Sequence, residues 1–269
     1  MENNKVQVLV SCMHLKDMSI INRMNIQTDA VIVNQCNEDS IVEIDFKNDS
    51  GITCYVKIIN TIERGLSKSR NMAIRNASDN CICLLCDDDE VLYRNYESLI
   101  LEGYKSFSNA DVVAFALNWN GFGKKFSKQS FKLSLLETLR VCSVQITFKS
   151  NSIKENMILF DELLGSGTGN GAGEEHRFML DCRKKHLNMY YFPNIIASIN
   201  IGESQWFKGF NEKYFRNYGW TSYRIFKQRL FSFLIILYYG ISKYRLYKKE
   251  ITMCNAIYYM LKGSYEKRN

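Results

Sequence analysis

Residues 81–90 (CICLLCDDDE) join a short apolar run directly to four acidic side chains. A run of about six apolar residues bounded by polar ones predicts a buried strand. Asp87, Asp88 and Asp89 would then lie at the carboxyl end of that strand, where open α/β sheets bind their ligands. We therefore expect an α/β protein with a polar site at one edge of its sheet.

The acidic triplet has two interpretations. Three adjacent carboxylates repel one another, so the cluster costs stability unless a positive charge lies beside it. Mg²⁺ and Mn²⁺ are natural partners, because hard cations take oxygen ligands and bridge to the phosphates of a nucleotide. An acidic turn that caps the following helix would explain the same residues, because acids favour a helix N-terminus.

Nine cysteines are present. The N-terminus lacks the basic-then-apolar pattern of a signal peptide, so we expect reduced thiols in the cytoplasm. Cys81, Cys83 and Cys86 do not have the paired spacing of a zinc site. They are predicted to be buried thiols that behave as small apolar side chains.

The rest of the chain is consistent with one large α/β domain. It has 269 residues, 46% of them hydrophobic and 23% charged, which is enough to form a sizeable core. Helices are predicted near 18–24, from an N-cap at Ser67, and after the acidic strand with Leu92 and Tyr96 on its apolar face. Strands alternating with helices favour a mostly parallel sheet. The further strands are predicted at 6–13, 30–33, 41–46, 54–59, 112–117 and 144–148.

A glycine-rich segment precedes a second acidic pair. Residues 165–173 (GSGTGNGAG) match neither a dinucleotide-binding fingerprint nor a Walker P-loop. Glu174 and Glu175 follow, in the predicted first turn of a helix, where the dipole favours their ionised form. An ionised carboxylate at the lip of a cleft can accept a proton from a substrate hydroxyl. Simple complementation of the dipole would explain the same pair.

Four segments occur in a fixed order along the chain: 65–71 (GLSKSRN), 84–89 (LLCDDD), 160–167 (FDELLGSG) and 173–175 (GEE). Together they resemble the family 2 glycosyltransferases of the GT-A fold, especially bacterial members that build capsular or other surface polysaccharides. The likeness extends from Val8 to about Trp220. It implies a Rossmann-like, mostly parallel central sheet flanked by helices, and a catalytic domain over 1–220.

The resemblance also implies roles for the acids. Asp87 and Asp89 match the D-x-D element that contacts the sugar diphosphate and carries Mn²⁺ or Mg²⁺, with Asp89 as the direct ligand. Asp88 lies between them and is expected to border the nucleotide sugar. Glu175 matches the general base, and Glu174 is the alternative for that role.

The nucleotide side of the site follows from the same resemblance. Arg70 and Asn71 match a stretch that lies beside the nucleotide, and Ser11 ends the first strand at the nucleotide pocket. Asn34 and Gln35 replace an Asp-Asp pair that often binds uracil; an amide can also hydrogen-bond a pyrimidine edge. A histidine that many members carry before Gly-x-Ser is absent from 200–204 (NIGES).

The implied activity is non-processive, inverting transfer of a sugar from a UDP-sugar or other nucleotide sugar. The acceptor would be a hydroxyl of a saccharide, expected to be lipid-linked, in surface-glycan synthesis. A sugar-1-phosphate nucleotidyltransferase is an alternative, but it calls for a glycine-rich basic loop where this chain has SCMHLK at 11–16. A non-catalytic membrane-binding adaptor would explain the basic C-terminus and not the acids.

The C-terminal segment 221–269 carries a charge of +8, whereas the preceding residues sum to −1. Within 221–249, basic residues flank the apolar run 231–239 (FSFLIILYY). Nine residues cannot cross a bilayer, which takes about 20, but such a helix suits a membrane surface. Simple packing on the catalytic domain and a nucleic-acid surface are alternatives. We expect a helical, basic extension that attaches the cytoplasmic enzyme to the inner face of the cell membrane, with no nucleic-acid partner.

Overall fold

The computed structural model describes residues 5–119, 127–199 and 209–268. A mixed β-sheet lies at the centre, and helices pack on both of its faces. The strands in the described ranges are β1 (Val6–Met13), β2 (Asp29–Gln35), β3 (Ser40–Lys47), β4 (Thr53–Thr61), β5 (Ile82–Asp87), β6 (Glu90–Leu92), β7 (Val112–Trp119), β8 (Phe131–Lys132), β9 (Ile146–Lys149) and β10 (Met189–Ile199).

Helices follow most of the strands and form a separate group near the C-terminus. The described ones are α1 (Ser19–Arg23), α2 (Leu66–Asn76), α3 (Tyr96–Ser106), α4 (Leu135–Thr138), α5 (Ser150–Glu155), α6 (Glu174–Lys184), α7 (Glu212–Phe226), α8 (Arg229–Ser242), α9 (Tyr244–Tyr247) and α10 (Met253–Ser264), with a 3₁₀ helix at Ser143–Gln145.

The strand order is β3-β4-β2-β1-β5-β9-β7-β10-β6, and β8 also pairs with β10. Parallel pairing joins β4, β2, β1 and β5, and it also joins β7 to β10. Strand β9 runs antiparallel to both β5 and β7, so these two point the same way. The α/β architecture with a mostly parallel sheet is therefore confirmed, and the carboxyl ends of its main strands meet at one edge.

The central strands are continuously apolar because both faces of the sheet are covered. Alternate side chains point to opposite faces. Val10 and Leu84 pack on one face with Ile100 of α3. Leu9 packs on the other face with Ala73 of α2. The two resulting cores hold the carboxyl ends of β1, β2 and β5 in register.

Three local predictions need correction. Leu92 lies in β6, where it pairs with Ala197 of β10, and α3 begins only at Tyr96. The N-cap of α2 is Gly65, whose φ of 123° is unfavourable for a residue with a Cβ; Ser67 lies inside the helix. The strand expected over 144–148 begins at Ile146, because the 3₁₀ helix occupies the preceding residues.

The C-terminal helices α7–α10 form a layer with its own small core, and this extension is helical as expected. Helix α7 is continuous through residue 220, so the predicted boundary between 1–220 and 221–269 falls inside a helix. Within the described ranges, no helix combines the length and the apolar character that a bilayer span requires. The buried hydrophobic residues of this small core are Phe215, Ile236, Tyr247, Ala256 and Met260.

Candidate active site

Arg70 connects the two acidic motifs. Its side chain is only 2% exposed, although it carries a permanent charge. Nη2 donates to both carboxylate oxygens of Asp87, at 2.8 and 3.1 Å, and Nη1 donates to Glu174 Oε1 at 3.0 Å. Asp87 ends β5 and Glu174 begins α6. The fold therefore brings together three of the residues that the sequence placed in one site.

Additional contacts compensate the burial of this arginine, which would otherwise be costly. Arg70 Nη2 also donates to Ser143 Oγ at 2.9 Å. Its guanidinium carbon lies 5.5 Å from the centre of the Phe160 ring, within the range of a cation–π contact. Glu174 is held from its other side, because Gly173 N donates to Glu174 Oε2 at 3.0 Å.

The two neighbouring glutamates have different environments. Glu174 forms an ion pair with Arg70. Burial, together with the negative charge of Glu174, raises the pKa of Glu175 to about 7. Glu175 Oε2 is buried and has no hydrogen-bond partner among the described residues, while Oε1 lies 3.9 Å from His176 Nε2. Such a carboxylate is suited to accept a hydrogen bond from a substrate hydroxyl group.

The acids after β5 include candidate ligands for a cation. Burial and repulsion from Asp87 raise the pKa of Asp88 and also the pKa of Asp89. Because Arg70 occupies both oxygens of Asp87, Asp89 is the more available ligand. Mg²⁺ commonly takes only one or two carboxylates and completes its shell with phosphate and water oxygens.

The residues present thus fit a divalent ion bound together with a diphosphate. Within 5–119, 127–199 and 209–268, no three His, Cys, Asp or Glu side chains form a ready-made metal cluster. The segment 200–204, where the histidine is missing from the sequence pattern, lies outside the described residues.

Glu90 holds the backbone at the start of the acidic turn. It is 1% exposed, and its Oε1 accepts a hydrogen bond from the backbone N–H of Asp87 at 2.7 Å. Burial and the neighbouring Asp87 raise the pKa of Glu90 well above the usual range. Its place in the acidic run was visible in the sequence, but nothing there distinguished it from a solvent-exposed fourth acid.

Asn71 anchors the segment that leads to the glycine-rich loop. Its Nδ2 donates to the Phe160 carbonyl and to Glu162 Oε1, both at 3.0 Å. Its Oδ1 accepts from Phe160 N at 2.7 Å. Gly165 then approaches α2 so closely that an added Cβ would lie 3.0 Å from Ser67 Oγ. Asn71 therefore positions the polypeptide that carries Glu174 and Glu175.

The predicted nucleotide residues divide between two faces of the sheet. Ser11 Oγ accepts from Ser69 Oγ at 2.9 Å, and Gln35 Oε1 accepts from Gly65 N at 2.7 Å, so both residues contact the α2 segment. Asn34 points to the opposite face. There it accepts from Leu15 N at 2.9 Å and donates to Asn60 Oδ1 at 2.7 Å.

Asn34 and Asn60 line a cavity of about 350 Å³ at the carboxyl edge of β2 and β4. Apolar walls come from Leu15, Val42 and Ile58. Charged side chains also border the cavity: Lys16, Asp17 and Glu38.

Helix α7 holds the glycine-rich loop from outside. Arg224 donates to both carboxylate oxygens of Asp161, at 2.6 and 2.9 Å. Asn217 Nδ2 donates to the Gly169 carbonyl at 3.2 Å, and Arg177 Nη1 of α6 donates to the Ile225 carbonyl at 2.9 Å. The C-terminal layer therefore contributes directly to the position of the acidic pair. Sequence reasoning missed this link, as it missed Ser143, because nothing in the local pattern signals such distant contacts.

Comparison with solved structures shows the fold of the chain. The crystal structure of S. aureus TarS 1–349 superposes with a TM-score of 0.63 at 15% identity, covering 97% of this chain and 81% of that one. TarS 1–349 in complex with UDP-GlcNAc gives a TM-score of 0.64 at 14% identity, with the same coverage. TarS 1–349 in complex with UDP gives a TM-score of 0.59 at 14% identity.

Neither the protein-family profiles nor the curated proteins include a match to this chain. The structural likeness, together with the sheet order, confirms a GT-A-like α/β fold.

Proposed function

We propose that the protein is an inverting, non-processive glycosyltransferase that moves a sugar from a nucleotide sugar to a hydroxyl of a saccharide acceptor. The observation that carries the proposal is the Arg70 bridge between Asp87 and Glu174, which brings a donor-side acid and a base-side acid to one site. The likeness to TarS bound to UDP-GlcNAc supports a UDP-sugar as the donor. Surface-glycan synthesis is the process that we assign to it.

In the proposed reaction, Glu175 accepts the proton of the acceptor hydroxyl. The freed oxygen attacks the anomeric carbon from the face opposite the diphosphate, a new C–O bond forms, and the bond to the leaving diphosphate oxygen breaks. A single displacement of this kind inverts the anomeric centre. The pKa of about 7 suits the role, because the group is ionised near neutral pH and still basic enough to take a proton.

Arg70 has a positioning role in this scheme. It neutralises Glu174 and keeps α6 close to β5, so that Glu175 stays near the donor side. A divalent ion, Mn²⁺ or Mg²⁺, would be held by Asp89 with Asp87, and when bound it would supply the positive charge that stabilises the departing diphosphate.

The proposed acceptor is a lipid-linked saccharide, which would place the enzyme at the inner face of the cell membrane. An acceptor of this kind presents its sugar next to the bilayer, so a peripheral enzyme with a basic surface would meet it there.

Asn34 and the cavity beside it are proposed to select the donor base through amide hydrogen bonds.

The proposal is tested by incubating the purified protein with UDP-, GDP- and dTDP-sugars and measuring nucleotide release with and without Mn²⁺. We expect release from at least one donor, increased by a saccharide acceptor. Glu175→Gln should lower the transfer rate at least a hundredfold, because general base catalysis typically supplies about 10²–10⁴-fold. Asp89→Asn should also lower it strongly, because it removes a carboxylate proposed to hold the divalent ion.

Glu155→Gln is the matched control, because Glu155 is an exposed carboxylate at the end of α5. Its rate should equal that of the unmodified protein. Near-normal transfer by folded Glu175→Gln protein would refute the assignment of the base. Absence of release from every donor would refute the activity.

A further inference from the structure

Helix α8 presents an uncharged apolar face to solvent. Leu230 is 73% exposed and Tyr238 is 68% exposed, and Phe233 and Leu234 between them continue the same surface. No charged residue occurs between Leu230 and Ser242. At helical spacing the exposed side chains form one stripe, which consists of Leu230, Phe233, Leu234, Tyr238 and Ile241.

The opposite side of α8 is already used for packing. Ser232, Ile236 and Gly240 are buried against α7 and α10. Ser232 Oγ donates to the Ser222 carbonyl of α7 at 3.3 Å. The sequence left open whether the apolar run 231–239 packs on the protein or lies at a membrane surface, and its two sides differ in this respect. One side completes the C-terminal core, and the other remains a surface with no covering element among the described residues.

Exposed basic residues lie at both ends of this stripe. Lys227 precedes α8, and Lys243 follows it. Leu246 of α9 extends the apolar surface and is exposed itself. Arg229 does not belong to this rim, because it lies between the rings of Tyr223 and Tyr265, 4.2 Å from each centre. Three further basic residues shortly after α8 are also exposed: Arg245, Lys248 and Lys249.

The geometry points to an anionic lipid surface as the partner of this face. A helix that exposes apolar and aromatic side chains between basic ends can enter the headgroup boundary while its cations bind lipid phosphates. A second copy of the chain fits less well, because symmetric pairing along α8 would bring the two basic rims together. We name this surface, Leu230 to Leu246 with its flanking cations, the α8 face.

Docking through the α8 face would orient the active site. Helix α8 packs on α7, and α7 contacts the glycine-rich loop through Asn217 and the segment just before that loop through Arg224. Helices α8 and α7 would thus lie between the bilayer and the loop that precedes Glu174 and Glu175. This orientation rests on the proposed function for the location of the acceptor, whereas lipid binding itself does not require catalysis.

Vesicle flotation tests the inference. The full chain is mixed at low salt with vesicles of phosphatidylglycerol and phosphatidylcholine in equal amounts, or of phosphatidylcholine alone. We expect flotation with the anionic vesicles, weakened by salt. Leu234→Glu/Ile241→Glu should lower the partition coefficient at least tenfold, while Leu136→Glu/Met157→Glu should not. The control residues are 72% and 82% exposed and give the same change in net charge.

A second pair of variants separates the charges from the apolar stripe. Lys248→Gln/Lys249→Gln should reduce binding to anionic vesicles and its salt dependence, whereas Lys184→Gln/Lys185→Gln, exposed at the end of α6, should not. Unmodified protein that fails to float would overturn the inference. So would equal flotation of folded Leu234→Glu/Ile241→Glu protein, or a dimer in light scattering that this variant converts to a monomer.

The same variants keep the two proposals distinguishable. Leu234→Glu/Ile241→Glu protein should retain nucleotide release from the donor, because its substitutions lie outside the active site. Vesicle binding without any release would contradict the proposed function and leave the docking surface in place.

Discussion

Glu174 and Glu175 are adjacent in sequence, yet Arg70 gives them different chemistry. The negative charge of Glu174 compensates the positive charge of Arg70. Its two oxygens accept hydrogen bonds from Arg70 and from the backbone N–H of Gly173. Glu175 has a buried oxygen with no partner in the described part of the chain and a pKa of about 7. Two carboxylates separated in this way can divide into a structural acid and a base.

A residue-scale prediction follows for Glu174→Gln. The substitution removes a negative neighbour of Glu175 and leaves more of the Arg70 charge uncompensated. Both effects favour the ionised form of Glu175, so its pKa should fall. In the unmodified protein we expect kcat/KM to rise with pH through about 7. In the variant this ascending limb should move to lower pH by on the order of 1 pH unit.

The measurement is a pH–rate profile of kcat/KM for nucleotide release in the presence of acceptor. A purely structural role for Glu174 would lower the rate at every pH without moving the limb. Glu155→Gln protein should keep the original profile. A limb that stays in place or moves to higher pH would show that Glu175 does not titrate as proposed.

Single residues also show how far the sequence could predict the site. Residue type and position were enough to select Asp87 and Glu174, because acids that follow an apolar run or a glycine-rich segment are conspicuous, whereas Arg70 was selected by the family resemblance. The sequence could not show that Arg70 and Glu174 touch, because 104 positions separate them. Asn71 illustrates the same limit: its amide binds Phe160 and Glu162, so its contacts in the described structure are with the protein.

At the scale of elements, the predictable strands are those with an uninterrupted pattern. Strands β1, β2 and β5 are buried runs, and β4 begins with alternating exposed and buried side chains. Each matches its prediction within about two residues. Strand β10 was missed because Pro193 interrupts its pattern, and proline removes a ladder donor. The structure accommodates it with register shifts against β7 between Phe192 and Ser198. The pairing of β6 with β10 was equally invisible, which explains the assignment of Leu92 to a helix.

The contact between α7 and α10 gives an element-scale prediction. A Cβ added to Gly219 would overlap the backbone carbonyl of Met260, which cannot move without shifting α10. Gly219→Ala should therefore lower the free energy of unfolding by about 1–3 kcal/mol, as overpacked cores do. This loss exceeds the gain of up to about 1 kcal/mol that alanine brings to a helix interior.

Urea denaturation followed by circular dichroism measures this loss. Gly240→Ala is a graded control, because its Cβ would meet side-chain atoms of Ile257 and Met260 and no backbone atom of α10. Its loss should be smaller. Equal stability of the Gly219→Ala and unmodified proteins would mean that the two helices do not cross as closely as described.

At the scale of the whole molecule, charge and function divide along the chain. The acids of the site follow β5 and the glycine-rich loop, while the excess positive charge lies in the C-terminal layer. The separation suits a protein that binds a cation and a nucleotide at one place and an anionic surface at another. The two regions remain mechanically connected, because α7 contacts Asp161 and Gly169 in the polypeptide that leads to Glu175.

Ligand binding to the whole fold can be measured without turnover, and this gives the last prediction. UDP with Mn²⁺ binds the folded state in our proposal, so it should raise Tm. At a ligand concentration of 100 times Kd the stabilisation is about 2.7 kcal/mol, which corresponds to roughly 5–10 °C for a chain of this size. Asp89→Asn should keep the Tm of the free protein, because it removes a carboxylate that Asp87 repels. The Asp89→Asn protein should lose the part of the UDP-induced Tm increase that requires Mn²⁺. The Asp45→Asn protein, substituted on the edge strand β3, should retain that part. An Mn²⁺-dependent shift that survives in Asp89→Asn protein would place the metal elsewhere.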